Sequence, residues 1–257
     1  MDYTFKNLIE KYKIKPIGVF HVGASVGQEC KEYYDVGVKQ TIWIEAIPNV
    51  FNTLQLNISE YPNAIAYNAC ISDIDEQIVT FNLADNGDSS SLLEFGTHKE
   101  EHPYVNFIGK LNLKTITLDT LINENEINLL NYNILNIDLQ GAELLALKGL
   151  GEKVILFHAI MLEVNEKELY KGCALVGEID EYLNKFGFIG VECQINEHGW
   201  GDKFYINKNN CIKPFNEFNE DSYLNANPDV RKAVIENQFK SGLHHYETYG
   251  KNEGRRW

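Results

Sequence analysis

The sequence predicts an α/β fold of the Rossmann-like kind. A mostly parallel central sheet carries helices on both faces, and a small helical appendage follows at the C-terminal end. Three observations carry this. Apolar runs alternate with amphipathic segments through the first 72 residues, the order of two consecutive β-α-β units. The first apolar run breaks directly into a turn bearing two glycines, HVGASVGQE. Beyond about residue 213 the composition changes and acids and bases nearly balance.

The N-terminal MDYTFKNLIEKYKIKP lacks an apolar core and a small-residue cleavage site, so it is expected to be no signal peptide. Phe5, Leu8, Ile9 and Tyr12 make it an amphipathic helix. GVFHVG (18–23) is a first strand and QECKEYYDVG a short helix closed by Gly37. TIWIEA (41–46) is a second strand, followed by a helix with Pro48 in its first turn, where a missing N–H costs nothing. AIAYNACIS (64–72) is a third strand. QIVTFNLADNGDSSSLLEF reads as a strand entering a polar loop, and THKEEHPYVNFIG as irregular. LNLKTITLDTLI is a strand entering a helical turn, NILNIDL (133–139) a strand, AELLALKGL (142–150) a helix and ILFHAIMLEV (155–164) a strand. ALVGEIDEYLNKFGF has helical spacing, and FIGVECQI with DKFYINK closes the domain as an antiparallel pair. The expected domains are 1–213 and a helical module over 214–257.

The formal net charge is −14, and all three arginines (Arg231, Arg255, Arg256) lie near the C-terminus. A nucleic-acid partner asks for a basic surface, so none is expected. Any anion bound by the main domain must be held by Lys, hydroxyls or backbone N–H groups. No run reaches the ~20 apolar residues of a membrane span. Five cysteines, none in a CxxC, speak against a disulfide framework and fit a reducing cytoplasm.

In a doubly wound sheet a ligand lies beyond the carboxyl ends of the strands, against the first turn. Glu45, ending the second strand, stands where an acid accepts hydrogen bonds from ribose hydroxyls. Together with the glycine turn it points to an adenosine-containing ligand. The third glycine of a dinucleotide fingerprint is absent, which favours a ligand without pyrophosphate, and S-adenosylmethionine fits. Asp138 ends a later apolar strand and Glu163 the next one. Two carboxylates on neighbouring strand tips could hold a hydroxyl substrate, one as general base, or a divalent metal such as Mg²⁺, and spacing leaves both open. His98, in the irregular segment, is a further candidate for proton transfer. Hydroxyls of the SSSL stretch, Ser90 among them, could contact the cofactor or a sugar.

HVGASVGQE, WIEAIP, NACISD, SSSL, TLDTLI, NIDLQGAELLALKG and MLEVNEKELYKG occur in an order that resembles the FkbM family of S-adenosylmethionine-dependent methyltransferases, over roughly residues 15 to 207. The resemblance implies a class I methyltransferase and O-methylation of a hydroxyl, most often on a sugar or secondary metabolite; a surface glycan or its precursor is the expected acceptor. It implies cofactor contacts from His21, Gly23, Ala24, Gly27, Glu45, Ala46, Asn68, Ala69, Ser90, Asp138, Leu139 and Gln140. Two positions depart from the family pattern: His21 replaces an acid, and Gln140 stands where many members have Glu.

The tail, DSYLNANPDVRKAV…GLHHYETYGKNEGR, resembles a short module at the ends of bacterial carbohydrate-related proteins. The resemblance implies either a packing unit or docking to a glycosyltransferase, a glycan-assembly protein or a glycan. Two rival readings remain: a nicotinamide-dependent oxidoreductase on a similar fold, and a non-catalytic scaffold subunit.

Overall fold

A computed structural model describes residues 3–211, 220–236, 238–250, 253 and 255. The chain forms two compact units, Met1–Cys211 and Ile212–Trp257. The expected boundary near Lys213 lies outside the described residues, as does Gly254 of the EGR stretch.

The strands of the first unit are β1 (Gly18–Val22), β2 (Gln40–Glu45), β3 (Ala64–Asn68), β4 (Cys70–Ile71), β5 (Ile78–Ala84), β6 (Phe107–Ile116), β7 (Ile134–Ile137), β8 (Ala159–Asn165), β9 (Phe188–Ile195) and β10 (Trp200–Asn207). Its helices are α1 (Phe5–Lys11), α2 (Cys30–Asp35), α3 (Pro48–Ile58), α4 (His98–Glu101), α5 (Leu118–Glu124), α6 (Glu143–Leu150), α7 (Val176–Asn184) and α8 (Lys208–Cys211). Seven strands form the central sheet in the order β3-β2-β1-β7-β8-β10-β9. Strands β3, β2, β1, β7 and β8 pair in parallel, and β10 runs antiparallel to both of its neighbours. The mostly parallel α/β architecture is the one expected.

Period-2 alternation divides the core between the two faces of the sheet. Phe20, Val22, Ile42, Ile44, Leu135 and Ile137 pack with residues of α5, α6 and α7. Val19, Trp43, Ile134 and Phe204 pack with residues of α1, α2 and α3. Central strands buried on both faces explain why β1 and β7 read as continuous apolar runs.

Three segments differ from expectation. The third strand stops at Asn68, whose amide turns back to donate to the carbonyls of Glu45 (2.8 Å) and Ala46 (3.0 Å). The chain then leaves the sheet, and β4 pairs with β6, which pairs with β5, in a separate three-stranded sheet. ILFHAIMLEV is not all strand, because residues 151–156 form a 3-10 turn before β8 begins at Ala159. The irregular middle segment contains the single turn α4.

The second unit contains α9 (Glu220–Ala226), α10 (Pro228–Ile235) and α11 (Gly242–His245). Tyr223 and Val230 are buried in it, the Tyr223 hydroxyl lies 2.8 Å from His245 Nδ1, and Arg255 pairs with Asp229 at 2.7 Å.

The carboxyl ends of β1, β2 and β7 are stitched together by backbone. Gly23 and Ala24 both donate to the Ile44 carbonyl at 2.9 Å, and Asp138 donates to the Val22 carbonyl at 2.9 Å. Gly23 has φ +82°, and a Cβ there would stand 1.6 Å from the Asp138 carbonyl oxygen. Just beyond, one carboxylate oxygen of the buried Glu143 accepts from the N–H groups of Leu139 (2.9 Å) and Gly141 (3.0 Å) and closes the turn between β7 and α6.

Two stability predictions follow from this edge. Gly23→Ala should destabilise the first unit by about 4 kcal/mol or more, the range of severe backbone conflict. Glu143→Ala should cost about 2–4 kcal/mol by stranding two buried donors. Urea denaturation checks both, and a loss under about 1 kcal/mol for either variant would contradict the corresponding contact.

Candidate active site

Two neighbouring cavities open at this edge of the sheet, each lined from strand tips and from the insert between β5 and β6. The first measures about 360 Å³ and is lined by Gly23, Ser25, Glu29, Glu45, Ala46, Ala69, Ser90, Asp138, Leu139 and Gln140, among others. Ile47, Val50, Phe81 and Leu92 supply apolar lining. The second measures about 340 Å³ and takes in His98, His102, Tyr104, Glu163, Tyr170 and Trp200. Asn86, Asp88, Asp138 and Gln140 line both.

Of the residues expected at a cofactor, eight therefore line the first cavity: Gly23, Glu45, Ala46, Ala69, Ser90, Asp138, Leu139 and Gln140. The other four do not. His21 shares its strand face with Trp43, stacks on that ring at 5.0 Å and meets the Tyr33 hydroxyl through Nδ1 at 3.1 Å. It is a core residue, and burial pushes its imidazole down to about 3. Ala24 is buried and serves the turn through its backbone. Gly27, at φ +77°, lets α3 pack closely, since a Cβ would stand 2.7 Å from Leu54 Cδ1. Asn68 shapes the turn after β2 from behind, through the two carbonyl contacts above.

Glu45 is buried at the tip of β2. Its Oε2 accepts from the Ser25 N–H at 3.0 Å and its Oε1 from the Ile47 N–H at 2.7 Å. Each carboxylate oxygen keeps a further acceptor site. Burial raises the Glu45 carboxyl to about 7 despite these bonds.

Between the cavities stands Gln140. Its Nε2 donates to Asp138 Oδ1 at 2.7 Å and to Glu163 Oε2 at 2.9 Å, and its Oε1 accepts from the Tyr170 hydroxyl at 2.7 Å. The Gln140 backbone is left-handed, at φ +52°, and its carbonyl accepts from the Ser91 hydroxyl at 2.8 Å. The residue is thus held from both ends, and its work requires a neutral donor rather than a charge. The same amide nitrogen donates to both carboxyl groups, where a shared cation would have to bind. Among the described residues no group of three or more His, Cys, Asp and Glu side chains could hold a metal ion. The expected Asp138–Glu163 pair thus belongs to no larger ligand cluster among the described residues, and its facing oxygens are occupied by the Gln140 amide.

Asp138 reaches solvent through the cavities, yet protein surrounds it closely, and desolvation raises its carboxyl above the usual range. Glu163 is buried, and desolvation together with the Asp138, Glu143 and Asp202 charges raises its carboxyl further. Like charges this close titrate as a group and favour retention of protons. His98 lies against Phe95 at 4.2 Å with its Nε2 3.3 Å from the Ser89 hydroxyl. Burial lowers its imidazole to about 4, so it serves as a neutral hydrogen-bonding group rather than a strong base.

Sequence reasoning missed Glu29, Asp88, Tyr170 and Trp200. Glu29 is only six positions beyond Gly23, within the quoted turn, and its neighbourhood was the available signal. Tyr170 lies within the quoted MLEVNEKELYKG stretch, where its nearness to Glu163 was the available signal, whereas Trp200 starts β10, which the sheet order sets beside β8 and for which linear spacing carries no signal.

The first cavity's lining includes Glu29, Glu45, Asp88 and Asp138 and no Lys, Arg or His. Such a wall opposes a pyrophosphate and suits a cationic ligand.

Among solved structures, methyltransferase FkbM from Methylobacillus flagellatus is similar at 11% identity, with 80% of this chain and 48% of that one covered and a TM-score of 0.48. An S-adenosylmethionine-dependent methyltransferase from Aquifex aeolicus matches at 12% identity over 79% and 88% of the two chains, with a TM-score of 0.43. The complex of Streptococcus pneumoniae Sp1610 with S-adenosyl-L-methionine matches at 12% identity over 80% and 73%, with a TM-score of 0.44. No curated protein matches the chain. The model of the methyltransferase FkbM domain matches residues 21–189, well over half of the chain, and the protein belongs to the FkbM methyltransferase family.

Proposed function

We propose that the protein transfers a methyl group from S-adenosylmethionine to a hydroxyl oxygen of a sugar in a surface glycan or its precursor. The observation that carries this reading is the place of Asp138, on the wall common to the two cavities. A cofactor in the first cavity and an acceptor in the second would meet at that carboxylate.

The first cavity fits the cofactor in three ways. Glu45 offers its remaining acceptor sites to ribose hydroxyls. The apolar side chains of Ile47, Val50, Phe81 and Leu92 suit an adenine ring. The charged lining, all of it acidic, suits a sulfonium and an ammonium, where a nicotinamide dinucleotide would bring a pyrophosphate against four carboxyl groups. When bound, S-adenosylmethionine supplies an electrophilic methyl group.

The second cavity fits a neutral, hydroxyl-rich acceptor. Tyr104, Tyr170 and Trp200 offer aromatic surface, while Asn86, Ser89 and His98 offer hydrogen bonds. Asp138 accepts the proton of the reacting hydroxyl. Burial and the neighbouring charges favour the protonated form of Glu163, the more deeply buried acid. Gln140 fixes the direction of both carboxyl groups, and Tyr170 fixes Gln140. Holding the hydroxyl in line for transfer supplies much of the rate. For the C-terminal unit we propose docking to a glycosyltransferase or glycan-assembly protein, a role supported by the sequence resemblance of its NPDV and EGR stretches. A cytoplasmic location accords with the free cysteines, Cys30, Cys70, Cys173 and Cys193.

Calorimetric titration with S-adenosylhomocysteine, with NAD as control, tests the cofactor class; binding of NAD alone would overturn it. Asp138→Asn should lower methyl transfer to a sugar acceptor by about 10²–10⁴-fold with cofactor affinity nearly unchanged, and retained turnover would remove Asp138 from the mechanism. Glu45→Ala should weaken S-adenosylhomocysteine binding by about tenfold or more, and unchanged affinity would sink the ribose role.

The acids also fix the sign of a pH effect. Glu29, Glu45 and Glu143 are each raised to about 7 in the folded chain, against 4.5 for an ordinary glutamate. The folded state then binds more protons than the unfolded state between these values, so stability falls as pH rises through that window. Urea midpoints at pH 5 and at pH 7.5 would show it, and a higher midpoint at 7.5 would contradict the raised acids.

A further inference from the structure

We propose that Glu29 is the anchor for the α-ammonium group of the cofactor's amino-acid end. The assignment rests on the cofactor reading above and adds to it a residue of the HVGASVGQE turn that was given no role there.

The four acids of the first cavity are not equivalent. Glu45 already receives two backbone N–H groups and stands at the β2 tip, the ribose position. Asp138 is bridged to Glu163 by Gln140 and faces the second cavity as well. Asp88 is exposed, on the insert. Glu29 differs from all three: its Oε2 is buried and has no hydrogen-bond partner among the described residues. A carboxylate oxygen in that condition is costly unless a donor reaches it.

Glu29 lines the cavity, and two features favour a cation beside it. The cavity's lining holds no Lys, Arg or His that could pair with Glu29. The Asp138 charge acts on Glu29 across the same space and adds to its burial, so a cation there relieves both terms. Gly23 and Ser25, at the mouth of β1, line the cavity with Glu29. An ammonium brings three N–H donors and a positive charge. His21, the only charge-capable side chain within β1, is turned into the core and cannot serve. Glu29 follows Gly27 by two residues, so the glycine turn that ends β1 delivers this carboxylate to the cavity.

Calorimetry with two ligands separates this role from a structural one. S-adenosylhomocysteine carries the amino-acid end, and 5′-methylthioadenosine keeps the adenosine and lacks it. Glu29→Gln should lower affinity for S-adenosylhomocysteine about tenfold or more, the scale of one charge-assisted hydrogen bond, and leave 5′-methylthioadenosine within about twofold. Equal losses for both ligands, or no loss for either, would overturn the assignment. Wild-type protein that binds neither ligand would instead overturn the cofactor reading, and the Glu29 role with it. Should Glu29→Gln fail to fold by circular dichroism, the unsubstituted protein gives the answer with an S-adenosylhomocysteine analogue lacking the α-amino group. Binding of that analogue as tightly as the parent would overturn the proposal, and a loss of about tenfold or more would support it.

Discussion

One neutral amide holds the centre of this molecule together. Gln140 donates to Asp138 and to Glu163, the residues that the parallel pairing of β7 and β8 brings side by side at the sheet edge. Two ionised carboxylates at that separation would repel in a poorly solvated site, and a third acid at position 140 could donate only if protonated. The amide removes that requirement. Its own orientation depends on the Tyr170 hydroxyl, on the Ser91 hydroxyl against its carbonyl, and on the Glu143 carboxylate beneath the turn. The positive φ of Gln140 and Gly141 is the local strain of that turn, held by contacts from four separate segments.

Charge is the second organising constraint. The first unit contains no arginine, and its first cavity is lined by acids without a base. Buried carboxyl groups that gather at one edge destabilise the folded chain as pH rises toward 7. A binding site commonly carries such a cost, because a ligand of opposite charge offsets it on arrival. The same electrostatics favour a cationic sulfonium or ammonium group at that wall and oppose a pyrophosphate.

Much of this was legible in the sequence. The alternation of apolar runs and amphipathic segments placed β1, β2, β7 and the helices α2, α3 and α6 within a few residues of their positions, because strands buried on both faces must be apolar throughout. Acids ending apolar runs marked Glu45, Asp138 and Glu163, since a charged group at the end of a buried strand must face a cavity or solvent. The expectation failed at His21 for a related reason. The resemblance put it at the cofactor, but it lies one residue short of the end of β1, on the face that packs under α2.

The chain's linear pattern by itself determined the fold class, the succession of strands and helices in the first half and the acids at the sheet edge, because periodicity and punctuation are local properties of the backbone. Tertiary structure alone decided that the third strand breaks after Asn68 to seed a second sheet, and that the insert between β5 and β6 lines both cavities. It also decided that Gln140 bridges two carboxyl groups, that Tyr170 fixes Gln140 and Trp200 joins the site from a distant segment, and that one Glu29 oxygen is left buried without a partner. Each of these depends on which segments meet in space, and hydrogen-bond satisfaction at such meetings has no periodic trace in the chain.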